Sequence, residues 1–230
     1  MRRQESLFIV EGERICAEVP EGLCETICVS ESYAASHKAE DALIFSDEIF
    51  KSLSDTVNPQ GILAVVKQPS YSLEEIIGKR SGEALYILLD DIRDPGNLGT
   101  IIRTAEAAGA KGVIMSPGCA DIFNPKVIRS TMGSIFRVPF VCTELSFAIA
   151  DMKEKKISIY AACLDAEGYY NEEKYGEKNA FIIGNEASGI SEKIALLADK
   201  KIKIPMAGQA ESLNAAVSAA VIMYGYKKWT

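Results

Sequence analysis

From Leu85 onward, short, solidly apolar runs alternate with longer stretches of helical spacing, and few folds accept that pattern. Strand candidates are Leu85–Leu89, Val113–Ser116, Val138–Cys142, Ile157–Cys163, Ala180–Ile183 and Ile202–Ile204. Helix candidates are Leu98–Ala108, Pro125–Ile135, Leu145–Lys155, Glu192–Ala198 and Leu213–Lys228. A strand buried on both faces loses the in–out alternation of a half-solvated sheet, so unbroken apolar runs predict a parallel sheet covered by helices. Residues 83–230 are therefore expected to form one α/β domain. Ligands of such sheets bind at the carboxyl ends of the strands, which directs attention to the loops there.

Residues 1–68 carry a smaller alternation. Leu7–Val10, Thr26–Val29, Leu43–Phe45 and Ile62–Val66 read as strands, with Glu11–Glu18, Glu31–Ser36 and Asp47–Leu53 as helices between them. Leu7–Val10 is a core strand only six residues in, which suggests that an opening helix has been trimmed. Residues 69–82 read as a polar linker, with Pro69, Gly78, Gly82 and one short helical piece, Leu73–Ile77.

Composition narrows the function classes. No run of about 18 apolar residues exists to span a bilayer, and Met1-Arg2-Arg3-Gln4-Glu5 lacks the apolar core of a signal peptide. Six cysteines without a CxxC pair, and a single histidine, His37, argue against zinc and for mostly buried, reduced thiols in a cytoplasm. The net charge of −7 is unfavourable for a nucleic-acid binder, but it is uneven. Residues 1–82 hold 8 Lys+Arg against 14 Asp+Glu, and residues 83–230 hold 17 against 18. A local basic face in the second part remains open, and Lys126, Arg129 and Arg137 form a modest patch suited either to phosphate or to a solvated helix face.

Three loops stand out. Leu85–Leu89 empties into Asp90-Asp91-Ile92-Arg93-Asp94-Pro95-Gly96-Asn97, then a helix bearing Arg103 and Glu106. Neither GxGxxG nor GxxxxGK is present, which removes the main support for a dinucleotide or triphosphate site. Asp90, Asp91 and Asp94 suggest a metal only weakly, Asn97 suits a helix cap, and Arg103 suits a pair with Glu106 one turn on. Ala180–Ile183 empties into Gly184-Asn185-Glu186-Ala187-Ser188-Gly189, a carboxylate bracketed by glycines. Ile202–Ile204 stops at Pro205 and turns through Gly208. A helix then follows that Ser212 or Asn214 can cap, with Leu213, Val217, Ala220, Val221 and Tyr224 on one face.

DPGNLGTIIRTAEAAG, FIIGNEASGIS and IPMAGQAESLNAAVSAA, in that order, resemble the three motifs of the SpoU-type branch of the SPOUT RNA methyltransferases. The resemblance spans roughly residues 85–226. FIVEG and NPQGILAVV resemble, more softly, that family's ribosomal-protein-like substrate-binding domain. The resemblance implies S-adenosylmethionine-dependent methylation of a ribose 2′-hydroxyl in structured RNA, ribosomal RNA being favoured. Transfer RNA, or a non-catalytic RNA-binding relative, are the alternatives. It implies a homodimer with a shared site and a deep trefoil knot in the parallel-sheet domain. It places Asn97, Arg103, Glu186, Ser212 and Asn214 as catalytic residues and Gly184, Ile204 and Leu213 as backbone contacts of the cofactor, with no metal. One departure is the start of the last helix, Asn-Ala-Ala-Val-Ser, where members often show Asn-Val-Ser-Val-Ala.

The chemistry suits these residue types. Methyl transfer from a sulfonium is an in-line displacement, so alignment can supply about 7–11 kcal/mol of barrier lowering. A guanidinium stays charged above about pH 12, so Arg103 either contacts phosphate and polarises the hydroxyl or acts as a base only when strongly perturbed. Met223, Tyr224, Tyr226 and Trp229 offer either a dimer interface or plain core.

Overall fold

The computed structural model describes residues 5–78 and 82–226. The first part runs β1 (Leu7–Glu11), α1 (Glu13–Cys16), β2 (Cys24–Ser30), α2 (Glu31–Ser36), β3 (Leu43–Phe45), α3 (Asp47–Leu53) and β4 (Ile62–Lys67). Its four strands form a mixed sheet in the order β1-β4-β2-β3, with β4 antiparallel to both neighbours and β3 parallel to β2. The predicted helix Glu11–Glu18 is shorter than expected. Glu11 stays in the strand, and the chain turns at Gly12, whose φ of 107° only glycine adopts readily. Serines cap α2 and α3 from Ser30 and Ser46.

Next comes α4 (Leu73–Ile77), opened by a reciprocal capping box between Ser72 and Glu75. The expected short helix is present, but it is docked: Ile76 and Ile77 are fully buried against the second sheet.

The second part runs β5 (Ala84–Asp90), α5 (Pro95–Ala107), β6 (Gly112–Met115), α6 (Pro125–Thr131), β7 (Phe140–Cys142), α7 (Leu145–Glu154), β8 (Ser158–Ala162), β9 (Gly168–Tyr169), β10 (Lys178–Gly184), α8 (Glu192–Ala195), β11 (Lys200–Lys203) and α9 (Ala215–Tyr226). Seven strands pair in the order β7-β6-β5-β10-β8-β11-β9, every pairing parallel. All of β5 is buried. Its Leu85, Ile87 and Leu89 pack with α5, α6 and α9, while Ala84, Tyr86 and Leu88 pack with α4 and α7. This two-sided burial is why the strand shows no alternation. The two-residue edge strand β9 carried no sequence signal.

Three helix expectations in this part need correction, the first being Glu192–Ala198, whose helix ends at Ala195. Pro125–Ile135 is not continuous: Met132 and Gly133 take positive φ, and the chain resumes as a 3₁₀ turn at Ser134–Phe136. The last helix starts at Ala215 because Asn214 is its cap, and its expected end at Lys228 lies outside the described residues. Its buried face is also different. Ala215, Ala216, Ala219, Ile222 and Met223 face the core, whereas Val217 and Tyr224 are 47% and 45% exposed. The small alanines allow α9 to lie close against α5 and β10. Among the described residues no helix is long and apolar enough to cross a membrane.

Candidate active site

The three loops meet at the carboxyl ends of β5, β10 and β11. After β5, Asp91 adopts φ 64°, left-handed for a non-glycine residue, and its amide donates to Ser116 Oγ at 2.9 Å. Asp94 caps α5 by accepting from the Asn97 amide at 2.8 Å, with Pro95 in the first helical turn. That hydrogen bond, aided by Lys126 at 3.6 Å, holds the Asp94 carboxyl below the ordinary carboxylate range. The three aspartates that hinted at a metal are otherwise engaged. Asp90 accepts from the Ser191 amide and hydroxyl, both at 2.8 Å, and Asp91 pairs with Arg93 at 2.8 Å.

After β10 the chain folds back on itself, with Asn185 and Gly189 exchanging both backbone hydrogen bonds at 3.0 Å. A Cβ on Gly184 would lie 2.2 Å from the Ile190 nitrogen, so this position accepts only glycine. From the exposed tip, Glu186 Oε1 accepts from Asn97 Nδ2 at 2.8 Å, and its two oxygens face the Arg93 and Asp94 amides at 3.4 Å. Partial desolvation raises the Glu186 carboxyl's pKa, but the bonds from Asn97 and the nearby amides outweigh it and hold the carboxyl below its ordinary range.

After β11, Asn214 caps α9 through Oδ1, accepting from Ala216 and Val217 at 2.9 and 3.3 Å. Of the two cap candidates the helix uses Asn214. Its Nδ2 donates to Asn97 Oδ1 at 2.9 Å. One amide, Asn97, thus donates to the second loop and accepts from the third. Each such bond is worth about 0.5–1.5 kcal/mol net, the bond to the charged Glu186 somewhat more.

Beside this chain lies an open cleft of about 160 Å³. Gly184, Ile204 and Leu213 all line it, as do Glu186 and Ser212, together with Cys163 and Leu164 from the end of β8. A larger, mostly apolar cavity of about 550 Å³ lies between β1 and α6. None of the motif residues lines it, so size alone does not mark the site. Asn97, Arg103 and Asn214 are not among the residues lining the cleft. The Arg103 side chain is exposed and has no hydrogen-bond or ion-pair partner among the described residues. The expected pair with Glu106 does not form, because Glu106 takes Arg137 Nε at 3.2 Å. Ser212 is exposed and likewise makes no hydrogen bond among the described residues.

Sequence reading gave no loop-shaping role to Asn185, Asp90 or Ser191. The only signal was a buried acid ending an apolar strand and an amide beside the bracketed glutamate. The anticipated basic patch is neutralised: Lys126 faces Asp94, Arg129 meets Asp55 at 2.7 Å, and Arg137 meets Glu18 and Glu106. The thiols are free but less buried than expected, with only Cys28 fully buried and Cys142 exposed. Burial pushes the Cys16 thiol up to about 12 and raises Cys119 and Cys163, making them poor nucleophiles at neutral pH.

A parallel sheet whose carboxyl-end loops are joined by side-chain amides beside a cleft is the site arrangement that the three-motif resemblance to SPOUT methyltransferases implies. Residues 84–224 match the SpoU rRNA Methylase family, and residues 1–64 match the MRM3-like substrate binding domain. The chain is 34% identical to the 23S rRNA (guanosine(2553)-2′-O)-methyltransferase RlmP of Bacillus subtilis (strain 168), over 97% of this chain and 89% of that one. It is 36% identical to the 23S rRNA (uridine(2479)-2′-O)-methyltransferase of Streptomyces viridochromogenes, over 72% of this chain and 59% of the relative. The crystal structure of the SpoU methyltransferase AviRb from Streptomyces viridochromogenes in complex with AdoMet superposes with a TM-score of 0.86 at 27% identity, covering 97% of this chain and 90% of that one. The chain belongs to the SpoU rRNA methylase family, RNA 2′-O-ribose methyltransferases that use S-adenosylmethionine.

Proposed function

We propose that this enzyme methylates a ribose 2′-hydroxyl of large-subunit ribosomal RNA, in the cytoplasm, as a homodimer. The observation that carries the reading is the Asn214–Asn97–Glu186 chain, which joins the three loops beside the cleft. The cleft suits S-adenosylmethionine. Gly184 lets the Ile190 backbone close the loop at its edge, Ile183, Ile202 and Leu213 offer apolar wall for an adenine, and Glu186 is, among the described residues, the one carboxylate lining it. Bound there, the cofactor supplies an electrophilic methyl group on a sulfonium.

The protein's own residues then have distinct tasks. Backbone at Gly184, Ile204 and Leu213 holds the adenosyl part. Glu186, kept ionised, gathers the amides of the first loop and complements a cationic ligand. Asn97 and Asn214 fix the spacing of the loops, and Ser212 offers a free hydroxyl at the rim for the ribose. Arg103 remains charged, since a guanidinium gives up its proton only above about pH 12. Exposed and unpartnered, it is suited to a phosphate and to polarising the adjacent hydroxyl. In the homodimer it would serve a cleft shared between subunits, and the exposed Val217 and Tyr224 face of α9 offers apolar surface for that pairing. RNA choice belongs to residues 1–68, by their match to a substrate binding domain.

The test is methylation of 23S ribosomal RNA and of transfer RNA with labelled S-adenosylmethionine, followed by mapping of the modified ribose. Label is expected in ribosomal RNA, and label confined to transfer RNA overturns the substrate. Cofactor at 100 times its Kd stabilises a fold that binds it by about 2.7 kcal/mol. Arg103→Ala is expected to keep that stabilisation and lose methylation, and retained turnover removes Arg103 from its role.

A further inference from the structure

The turn between β5 and α5 is gripped by two consecutive residues of the β10 loop, from different directions. Asn185 Nδ2 donates to the Asp91 carbonyl at 2.7 Å, while Glu186 meets the Arg93 and Asp94 amides and Asn97 Nδ2. The other end of the Asn185 amide closes its own loop: Oδ1 accepts from the Ala187 and Ser188 amides at 2.9 and 3.0 Å and from Ser188 Oγ at 3.2 Å. Every hydrogen-bonding direction of the Asn185 side chain but one is used, and all of it within the two loops. Asp91, whose carbonyl it holds, is the residue in the left-handed conformation. A non-glycine residue keeps that conformation only where its surroundings over-determine it. Here Ser116 holds the Asp91 amide and Asn185 holds its carbonyl. The two peptides that follow are the ones whose amides face Glu186.

We propose that Asn185 is a positioning residue for methyl transfer: by pinning the Asp91 carbonyl and closing the Gly184–Gly189 loop, it sets where Glu186 meets Asn97, and through Asn97 where Asn214 stands beside the cleft. Loss of the pin lets Asp91 relax toward negative φ, which swings the Arg93 and Asp94 amides off Glu186 and loosens all three loops together. This assignment rests on the reading of Glu186 as a working part of the site.

Asn185→Asp separates the two halves of the device. The carboxylate is isosteric and still accepts from Ala187 and Ser188, but it cannot donate to the Asp91 carbonyl and repels it. The variant is expected to fold with little change in Tm, to bind S-adenosylmethionine more weakly and to lose kcat on the order of a hundredfold, as a misplacement of about an ångström can do. Asn185→Ser, neutral but with a hydroxyl that stops short of the Asp91 carbonyl, is expected to show a comparable loss without the repulsion. Should Asn185→Asp lower Tm by many degrees, Asn185→Ser carries the comparison instead. The decisive reading is a double-mutant cycle with Glu186→Gln, followed in both cofactor Kd and kcat. A residue that acts through Glu186 adds little once Glu186 is changed, whereas a merely structural role adds its full effect. Additive effects, or wild-type kinetics for Asn185→Asp, overturn the assignment. If Glu186→Gln alone leaves both constants unchanged, the role given to Glu186 fails instead.

Discussion

Glu186 shows how one side chain acquires a task from its neighbours. It stands at an exposed loop tip, yet Asn97 and two backbone amides meet it there. A carboxyl whose folded pKa is depressed contributes stability above its unfolded value and loses it as pH falls through the folded value. For Glu186 that window begins near the ordinary value of 4.5 and extends below it. Urea midpoints measured while acidifying through this window are expected to fall less steeply for Glu186→Gln than for the unmodified protein. Equal slopes would mean that the hydrogen bonds do not favour the ionised form. Gly184 is the complementary case, useful for the side chain it lacks, since Ile190 backbone occupies the space a Cβ needs.

Elements deliver these residues in a simple way. Parallel strands all point the same way, so β5, β10 and β11 release their loops on one side of the sheet, and each loop leads to a helix or a turn capped by its own polar residue. Asp94 caps α5 and Asn214 caps α9, so the same short side chains that start the helices also fix the loops. The close fit of α9 is the most demanding packing feature. Ala219 is fully buried where this helix crosses toward α5 and β10. Ala219→Leu is expected to cost about 1–3 kcal/mol through overpacking, read from denaturant unfolding. A loss under about half of that would place Ala219 in slack packing.

At the scale of the molecule, the two sheets share apolar contacts. The Phe8 ring of β1 lies tilted against Phe123 and Phe136, with centroids 4.9 and 6.2 Å away, and Val10 and Val66 belong to the same buried cluster as Leu85 and Ile87. Arg129–Asp55 and Arg137–Glu18 join the same two parts, and exposed pairs of this kind contribute about 0–1 kcal/mol each, so the aromatic contact carries more of the attachment. The proposed homodimer bears on Arg103, whose side chain is exposed on α5. Mixing inactive Arg103→Ala and Glu186→Ala proteins, with exchange of subunits, is expected to restore activity. Each mixed dimer would contain one site with both residues intact. Activity no greater than that of the separate variants would mean that each subunit works alone.

The three motif loops could be read from residues because each packs unusual types, glycines, amides and a lone acid, into a strand end. The strands could be read because burial on both faces demands unbroken apolar runs. The helix at Leu73–Ile77 was marked by its polar and glycine borders, though not its docking. Other features had no local signature. The segment that becomes α9 is apolar nearly all round, so periodicity favoured the face bearing Val217 and Tyr224, while close approach to α5 and β10 selected the alanines. The cations Arg129 and Arg137 found acids 74 and 119 residues away, and Asn185 gripped a carbonyl 94 residues away. Local sequence determines which backbone conformations and which burial patterns are affordable; which polar groups end up as neighbours depends on how the sheets close around them, and that is settled only when the chain is folded.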